Sequence, residues 1–427
     1  MHAGYDSDAN HLAVSTPIYQ TAAFDLGDPA RAIRLRTGQE RGFYYSRVGN
    51  PTVAVVEQRL AALDGGVAAV GVSSGMTAIA YTLLALAKGS KGNIIAPYSI
   101  YGATEELLNG FLPDYGIETR FVTDRSNPEA YEELIDDETK AVYIESISNP
   151  NVEIYDIDAI AEAAHRHGVP LVVDNTIATP YLLRLFEHGA DINVYSATKA
   201  ISGHGNVIGG FIVEKGGFSY DERKFPFLHR KQYIFRDENN QGRSPVDLFP
   251  YVPLGVAIRA SFLAGLGGQL SPFDAYLIQN GLVDTIAERL DKETANARKL
   301  LAYLKGVGHV DNVNYATDAD SPFHDVAARL LPLGAGGLLS FEFKGDADQF
   351  AALVASLNVF SYHTNIGDVR SLITNVPDTS HVELNPKHLE KASIPRNLVR
   401  ISTGLERAED LIADLEHGFK AAFNENE

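Results

Sequence analysis

The chain has 427 residues, 45% of them hydrophobic, with 36 basic against 55 acidic side chains, a net charge of −19 and no cysteine. That length calls for two or three domains rather than one core. The acidic excess argues against a nucleic-acid partner, which needs a basic face. The absence of cysteine excludes disulfides, thiolate nucleophiles and cysteine-ligated metals.

Residues 1–60 read as an irregular arm. Turn formers and aromatics crowd "TPIYQTAAFDLGDP" and "YYSRVGNPT", so this segment is expected to wrap the body or to reach a partner chain. The opening "MHAGYDSDANHLAV" has no basic n-region and no apolar h-region. No run approaches the roughly 20 apolar residues of a membrane span. A cytoplasmic location without a membrane partner is therefore the expectation.

A regular rhythm begins near residue 64. Strands are predicted at 67–72, at "NIIAP", at "TRFV", and over 141–147, 170–174 and 192–196. Helices are predicted between them, over 77–87, 103–112, 128–135, 156–168 and 181–189. Strands apolar throughout, alternating with helices of about ten residues, imply a mostly parallel sheet covered on both faces. "GGFIVEKGG" (209–217) adds one more strand, of either direction. A long helix over 276–305 leads from this large domain (61–284) into a smaller C-terminal α+β domain (285–427). That domain holds a strand at 336–343 and helices at 347–357 and 406–423.

Chemistry concentrates at strand ends. "SSGM" joins a strand to a helix, and unpaired N–H groups at a helix start favour a phosphate. Gly75 permits close approach there, although an ordinary βα turn has the same form. Neither G-x-G-x-x-G after a strand nor a P-loop is present, so a dinucleotide or ATP is not indicated. Asp174 ends the strand 170–174, and Lys199 follows the strand 192–196. In an open parallel sheet, ligands bind beyond the carboxyl ends of strands. Pyridoxal phosphate needs a lysine for its Schiff base and an acid beside its ring nitrogen. Taken singly, Asp174 is a turn cap and Lys199 a loop lysine; taken with the helix start, they fit one cofactor. Ser196 and Thr198 flank the lysine as phosphate donors. Tyr101 is placed to stack on a pyridine ring, or else is a half-buried loop tyrosine. Tyr45 and Arg47, two apart on an extended segment, face one way and meet either a phosphate or a surface acid. Arg400, inside the strand-like "NLVRISTG", needs an anionic partner: a substrate carboxylate, or a structural ion pair. No histidine cluster has zinc spacing.

The motifs "PIYQTAAF", "YSRVGNPT", "SSGM", "ESISNP", "VDNTIATP", "GADI", "YSATKAISGHG" and "RISTGLE", in this order, resemble the Cys/Met-metabolism family of pyridoxal-phosphate enzymes over nearly the whole chain. The resemblance implies a fold type I large domain, a smaller C-terminal domain and a homotetramer of tight dimers. It places the Schiff base on Lys199, the pyridinium partner on Asp174 and the stacking ring on Tyr101. The phosphate cradle falls on the amides of Gly75 and Met76, with Ser196 and Thr198. Tyr45 and Arg47 become the pair that reaches a neighbouring subunit's phosphate, and Tyr45 joins Lys199 and Tyr101 as catalytic. Asn149 lies beside the cofactor's phenolic oxygen, and Arg400, with Asn149 and Asn365, binds substrate. Ala103 stands where methionine γ-lyases usually carry cysteine. "HTNIGDVRSLIT" (363–374) is similar to the loop of O-acetylhomoserine sulfhydrylases. "TNVPDTSHVEL" (374–384) departs from the family's usual His-Pro-Ala-Ser. The implied activity is γ-replacement of O-acetyl-L-homoserine by sulfide or methanethiol. Cystathionine γ-synthase, a γ-lyase and a non-catalytic binding protein are the alternatives.

Overall fold

The computed structural model describes residues 2–424, apart from residues 38, 238 and 383. Residue 38 of the arm, residue 383 of the 374–384 loop, and the outermost residues of the first and last segments thus lie outside the described residues. Seven strands form the large sheet: β1 (Ala68–Val72), β2 (Gly92–Pro97), β3 (Ile117–Val122), β4 (Thr139–Glu145), β5 (Leu171–Asp174), β6 (Ile192–Ser196) and β7 (Gly210–Glu214). Their order is β1-β7-β6-β5-β4-β2-β3. Pairs among β2 to β6 are parallel. Strand β7 runs antiparallel to both neighbours, β1 and β6, which fixes the direction the sequence left open.

The strands are apolar because both faces are covered. Every residue of β2 and of β4 is buried. Helix α1 (Pro29–Arg36) belongs to the arm, and one hydrophobic cluster draws on α2 (Pro51–Asp64) through Val53, Val56 and Leu60 and continues into the C-terminal region through Leu290, Phe341 and Phe419. The other is built around α3 (Gly75–Ala87) through Ala78, Ile79 and Leu83. Each fully buried aliphatic side chain stabilises the fold by about 1.5–3 kcal/mol.

A short hairpin, β8 (Gln232–Arg236) with β9 (Gly242–Arg243), precedes a second sheet. That sheet has β10 (Val310–Asn314), β11 (Leu338–Phe343), β12 (Ser361–Tyr362), β13 (Leu372–Asn375) and β14 (Leu398–Ser402), in the order β10-β11-β14-β13-β12. All its pairs are antiparallel except β12 with β13. The helices Ile286–Leu304 and Ala408–Phe423 pack on each other beside it.

Some elements differ from expectation. The arm is irregular only in part, since α2 begins at Pro51, capped by Asn50 Oδ1 on Thr52 N at 2.9 Å. The helix predicted over 276–305 is interrupted: Pro272–Asn280 is α-helical, Gly281–Thr285 is a π-turn, and the helix resumes at Ile286. A Cβ on Gly281 would lie 1.9 Å from the Ser202 carbonyl oxygen, and Arg289 Nη2 donates to Gly281 O at 3.1 Å. Tight packing and a competing donor thus fall at the break. The helix predicted over 103–112 similarly divides into α4 (Gly102–Glu106), a π-turn and a 3₁₀ turn ending at Gly116. Among the described residues, no helix is long and apolar enough to cross a membrane.

Candidate active site

Three adjacent parallel strands end level with one another. Glu145 of β4 pairs with Asp174 of β5, and Asp174 pairs with Val194, two residues before Ser196 ends β6. Polar residues thus appear where the apolar strands leave the core. Asp174 Oδ1 accepts from Thr176 N at 2.9 Å, and the Tyr143 hydroxyl donates to Oδ2 at 3.5 Å. Burial still pushes its carboxyl up to about 6, because the neutral donors of Thr176 and Tyr143 do not replace the lost water.

The turn after β6 carries Lys199, whose amide donates to Ser196 O at 3.1 Å. Its Nζ donates to Asn365 Oδ1 at 2.6 Å. Burial, followed by the positive charge of Arg400, lowers the ammonium to about 8. Thr198 Oγ1 accepts from Gly209 N at 3.0 Å and donates to Gly209 O at 3.3 Å. His204 bonds the Ser202 carbonyl through Nδ1 at 2.5 Å, a local tie within the loop.

Helix α3 points its N-terminus at the same place. Ser74 caps it, accepting from Thr77 N at 3.1 Å. A Cβ on Gly75 would sit 2.6 Å from Ser196 Cβ. Glycine is therefore what lets the helix start lie flush against the end of β6.

On the opposite side, buried Glu145 ties two loops together. Its Oε1 accepts from Tyr101 N at 2.7 Å and its Oε2 from Asn149 N at 2.9 Å. Burial, and then the neighbouring Asp174, hold its pKa well above the carboxylate range. No motif in the sequence marks Glu145, although it ends an apolar strand just as Asp174 does. His381 is likewise unmarked: it is fully buried, lies edge-on to Tyr101 with ring centroids 6.5 Å apart, and bonds Ile100 O through Nε2 at 3.3 Å. Burial, reinforced by Arg400, lowers it to about 4, so it is neutral.

Arg400 sits mid-strand on β14, 2% exposed. Nη1 donates to Asn149 Oδ1 at 2.8 Å; Nη2 donates to the carbonyls of Thr364 at 3.1 Å and Asn365 at 3.4 Å. All three partners are uncharged. Among the described residues Arg400 has no ion pair, so the structural-ion-pair alternative finds no support. A buried guanidinium without an anion is a strong anion receptor; burial depresses its pKa to about 10.

One cavity of about 240 Å³ gathers Gly75, Met76, Tyr101, Asn149, Asp174, Ser196, Thr198, Lys199 and Arg400 around it. Asn365 joins through its bond to Lys199. Tyr45 and Arg47 do not line it. Tyr45 is 41% exposed; Arg47 donates to the carbonyls of Leu263 at 3.5 Å and of Ala264, with its guanidinium carbon 5.3 Å from the Tyr45 ring centroid. The donor set fits pyridoxal phosphate. A thirteen-residue helix start suits the phosphate. A carboxyl raised by burial gains from a cationic ring nitrogen, and the amine is already poised for loss of its proton.

The sequence model described as "Cys/Met metabolism PLP-dependent enzyme" matches residues 1–420. The chain belongs to this family. Its enzymes are pyridoxal-phosphate-dependent, and their fold is the fold type I arrangement described above. This member of the Cys/Met-metabolism family is 37% identical over 426 residues to an O-acetyl-L-homoserine sulfhydrylase of Corynebacterium glutamicum, covering 99% of this chain and 96% of that protein. It is 37% identical to a homocysteine synthase of Schizosaccharomyces pombe over 99% of this chain and 97% of the other. Among solved structures, a putative O-acetylhomoserine (thiol)-lyase from Campylobacter jejuni, carrying a pyridoxyl-lysine, superposes with a TM-score of 0.92 at 34% identity, over 98% of each chain. A cystathionine γ-lyase of Lactobacillus plantarum superposes less closely, at 0.82 and 30% identity, over 99% of this chain and 97% of that one.

Proposed function

We propose that the protein replaces the acetate on the γ-carbon of O-acetyl-L-homoserine with sulfide or methanethiol, releasing homocysteine or methionine. The observation that carries this reading is Arg400: a buried guanidinium bonded only to uncharged oxygens, in the cavity that Lys199 and Asp174 share. An amino-acid substrate's carboxylate supplies the missing anion. The closer superposition on the thiol-lyase than on the γ-lyase, and Ala103 in place of cysteine, favour γ-replacement over elimination.

When bound, pyridoxal phosphate supplies an electron sink that stabilises negative charge on the substrate carbons. The chain's own residues do the rest. Gly75 and Met76 present helix-start amides to the phosphate, with Ser196 and Thr198 beside them. Asp174 would stabilise the ring's positive charge, and Tyr101 would supply the aromatic surface for it to stack on. Asn149, which holds Arg400 through its side-chain oxygen, would serve the cofactor's phenolic oxygen. Arg400 grips the substrate carboxylate, which fixes the α-carbon relative to Lys199. Lys199, its ammonium brought down to about 8 by burial and then Arg400, accepts the α-proton once neutral and returns a proton later. Asn365 orients its Nζ. Tyr45 and Arg47 serve the cavity of a neighbouring subunit, in a homotetramer; full activity in a sedimenting monomer would contradict that placement.

The test measures acetate release from the homoserine ester with and without sulfide. Acetate release that requires sulfide, with homocysteine in equal amount, is expected, and Lys199→Ala abolishes it. Release of ammonia and a keto acid without any thiol would show a γ-lyase instead.

A further inference from the structure

Glu145 joins two sides of the cavity by direct bonds. Its strand is buried throughout, and its side chain lines the cavity beside Asp174, its register partner. One carboxyl oxygen accepts from Tyr101 N at 2.7 Å and the other from Asn149 N at 2.9 Å. A backbone amide has one proton, so both residues commit theirs to this carboxyl. Asn149 passes the constraint on, because its Oδ1 accepts from Arg400 Nη1 at 2.8 Å. Arg400 Nη2 donates to Thr364 O at 3.1 Å and Asn365 O at 3.4 Å, and Asn365 Oδ1 accepts from Lys199 Nζ at 2.6 Å. The stacking ring, the guanidinium and the amine thus hang on one chain of contacts that passes through Glu145. The two loops have another tie: Ser99 Oγ donates to Ser148 Oγ at 3.2 Å, and Asn151 Nδ2 donates to Ser99 Oγ at 3.0 Å. Those bonds hold the loops together without touching Tyr101 or Asn149, the two residues of these loops that Glu145 holds at the cavity wall.

We propose that Glu145 is a positioning residue for substrate binding: through Asn149 it fixes the Arg400 guanidinium at a set distance from the Tyr101 ring. This rests on the reading of Arg400 as the receptor for a substrate carboxylate. Tyr101 sets where a stacked ring lies, and Arg400 sets where the carboxylate lies. A misplacement of about 1 Å between such groups forfeits much of the advantage of orientation. A carboxyl suits the task because its two oxygens serve two donors. Glutamine at this position keeps one such oxygen and turns an NH2 against the second amide. The orientation that retains the shorter bond, to Tyr101 N, sets that NH2 against Asn149 N. Asn149 must then withdraw, and its side-chain oxygen leaves Arg400.

The experiment measures the dissociation constant of glycine on the cofactor-loaded enzyme, by the change in visible absorbance. Glycine has the carboxylate that Arg400 would hold and no leaving group, so the result stands apart from the γ-replacement reading. Glu145→Gln should raise this constant about tenfold, the weight of one bond to a charged group such as that between Asn149 and Arg400. Glu145→Asp keeps both oxygens but draws them back by one methylene, so that they cannot reach both amides. It should weaken glycine as well, and it serves if the amide variant does not fold. Asn149→Ala keeps the amide and removes the linking oxygen; in that background Glu145→Gln should have no further effect, because the two act as one unit. A general loss of stability would not depend on Asn149 in this way. Glycine binding unchanged in the folded variants, or effects of Glu145→Gln and Asn149→Ala that simply add, would overturn the proposal. An Arg400→Lys enzyme that binds glycine as the wild type does would instead overturn the reading of Arg400, and this proposal with it.

Discussion

Arg400 is the residue that most sharply separates a substrate-binding role from a structural one. Its guanidinium meets three neutral oxygens, so its replacement should cost more in substrate binding than in folding. Arg400→Lys keeps the charge but loses the planar fork. We expect KM for the homoserine ester to rise by roughly ten- to hundredfold, the equivalent of about 1.5–3 kcal/mol, with a smaller change in kcat. An unchanged KM would return Arg400 to a structural role. Lys199, Asp174 and Tyr101 were legible in the sequence because each follows an apolar run whose end predicts a ligand site. Glu145 obeys the same rule and was legible in principle. His381 was not, because no local pattern shows that a histidine in an irregular loop will be buried beside the cavity.

At the scale of elements, the site depends on α3 meeting the end of β6 without a side chain between them. Gly75→Ala places a methyl 2.6 Å from Ser196 Cβ. The helix start must then retreat, at a cost of about 1–3 kcal/mol. Cofactor affinity, read by absorbance titration, should fall about tenfold or more; an unchanged Kd would mean that the helix start does not hold the phosphate. The alternation of buried strands and helices made the large sheet readable from residue 64 onward, because each parallel strand buried on both faces is apolar throughout. Helix interruptions were not readable. Those at Gly281–Thr285 and Leu107–Phe111 arise where helical sequence meets tertiary packing, such as the Ser202 carbonyl against Gly281, and periodicity carries no trace of it. The second sheet was only partly legible: β11 is a clear apolar run, whereas β10, β12 and β13 are short or polar strands that take their form from neighbours.

Over the whole molecule, several acids are buried without full compensation. Glu214 is pushed up to about 7 and Glu293 to about 8, both by burial. Their folded values exceed the unfolded value near 4.3, so the folded state binds more protons between those limits and its stability falls as pH rises through them. His165, raised by its bond to Asp191, acts in the same direction. The apoenzyme should therefore lose about 2–3 kcal/mol between about pH 6.5 and pH 8. Denaturant midpoints at those two values measure it, and a flat or rising stability would contradict the burial of these acids. The proposed chemistry needs Lys199 as the amine that bonds the cofactor and Asp174 as the acid that would hold its ring nitrogen. Borohydride reduction of the cofactor-loaded protein, followed by peptide mass mapping, tests this most directly. The pyridoxyl group should be found on the peptide that contains Lys199 and nowhere else; its appearance on another lysine, or on none, would contradict the account.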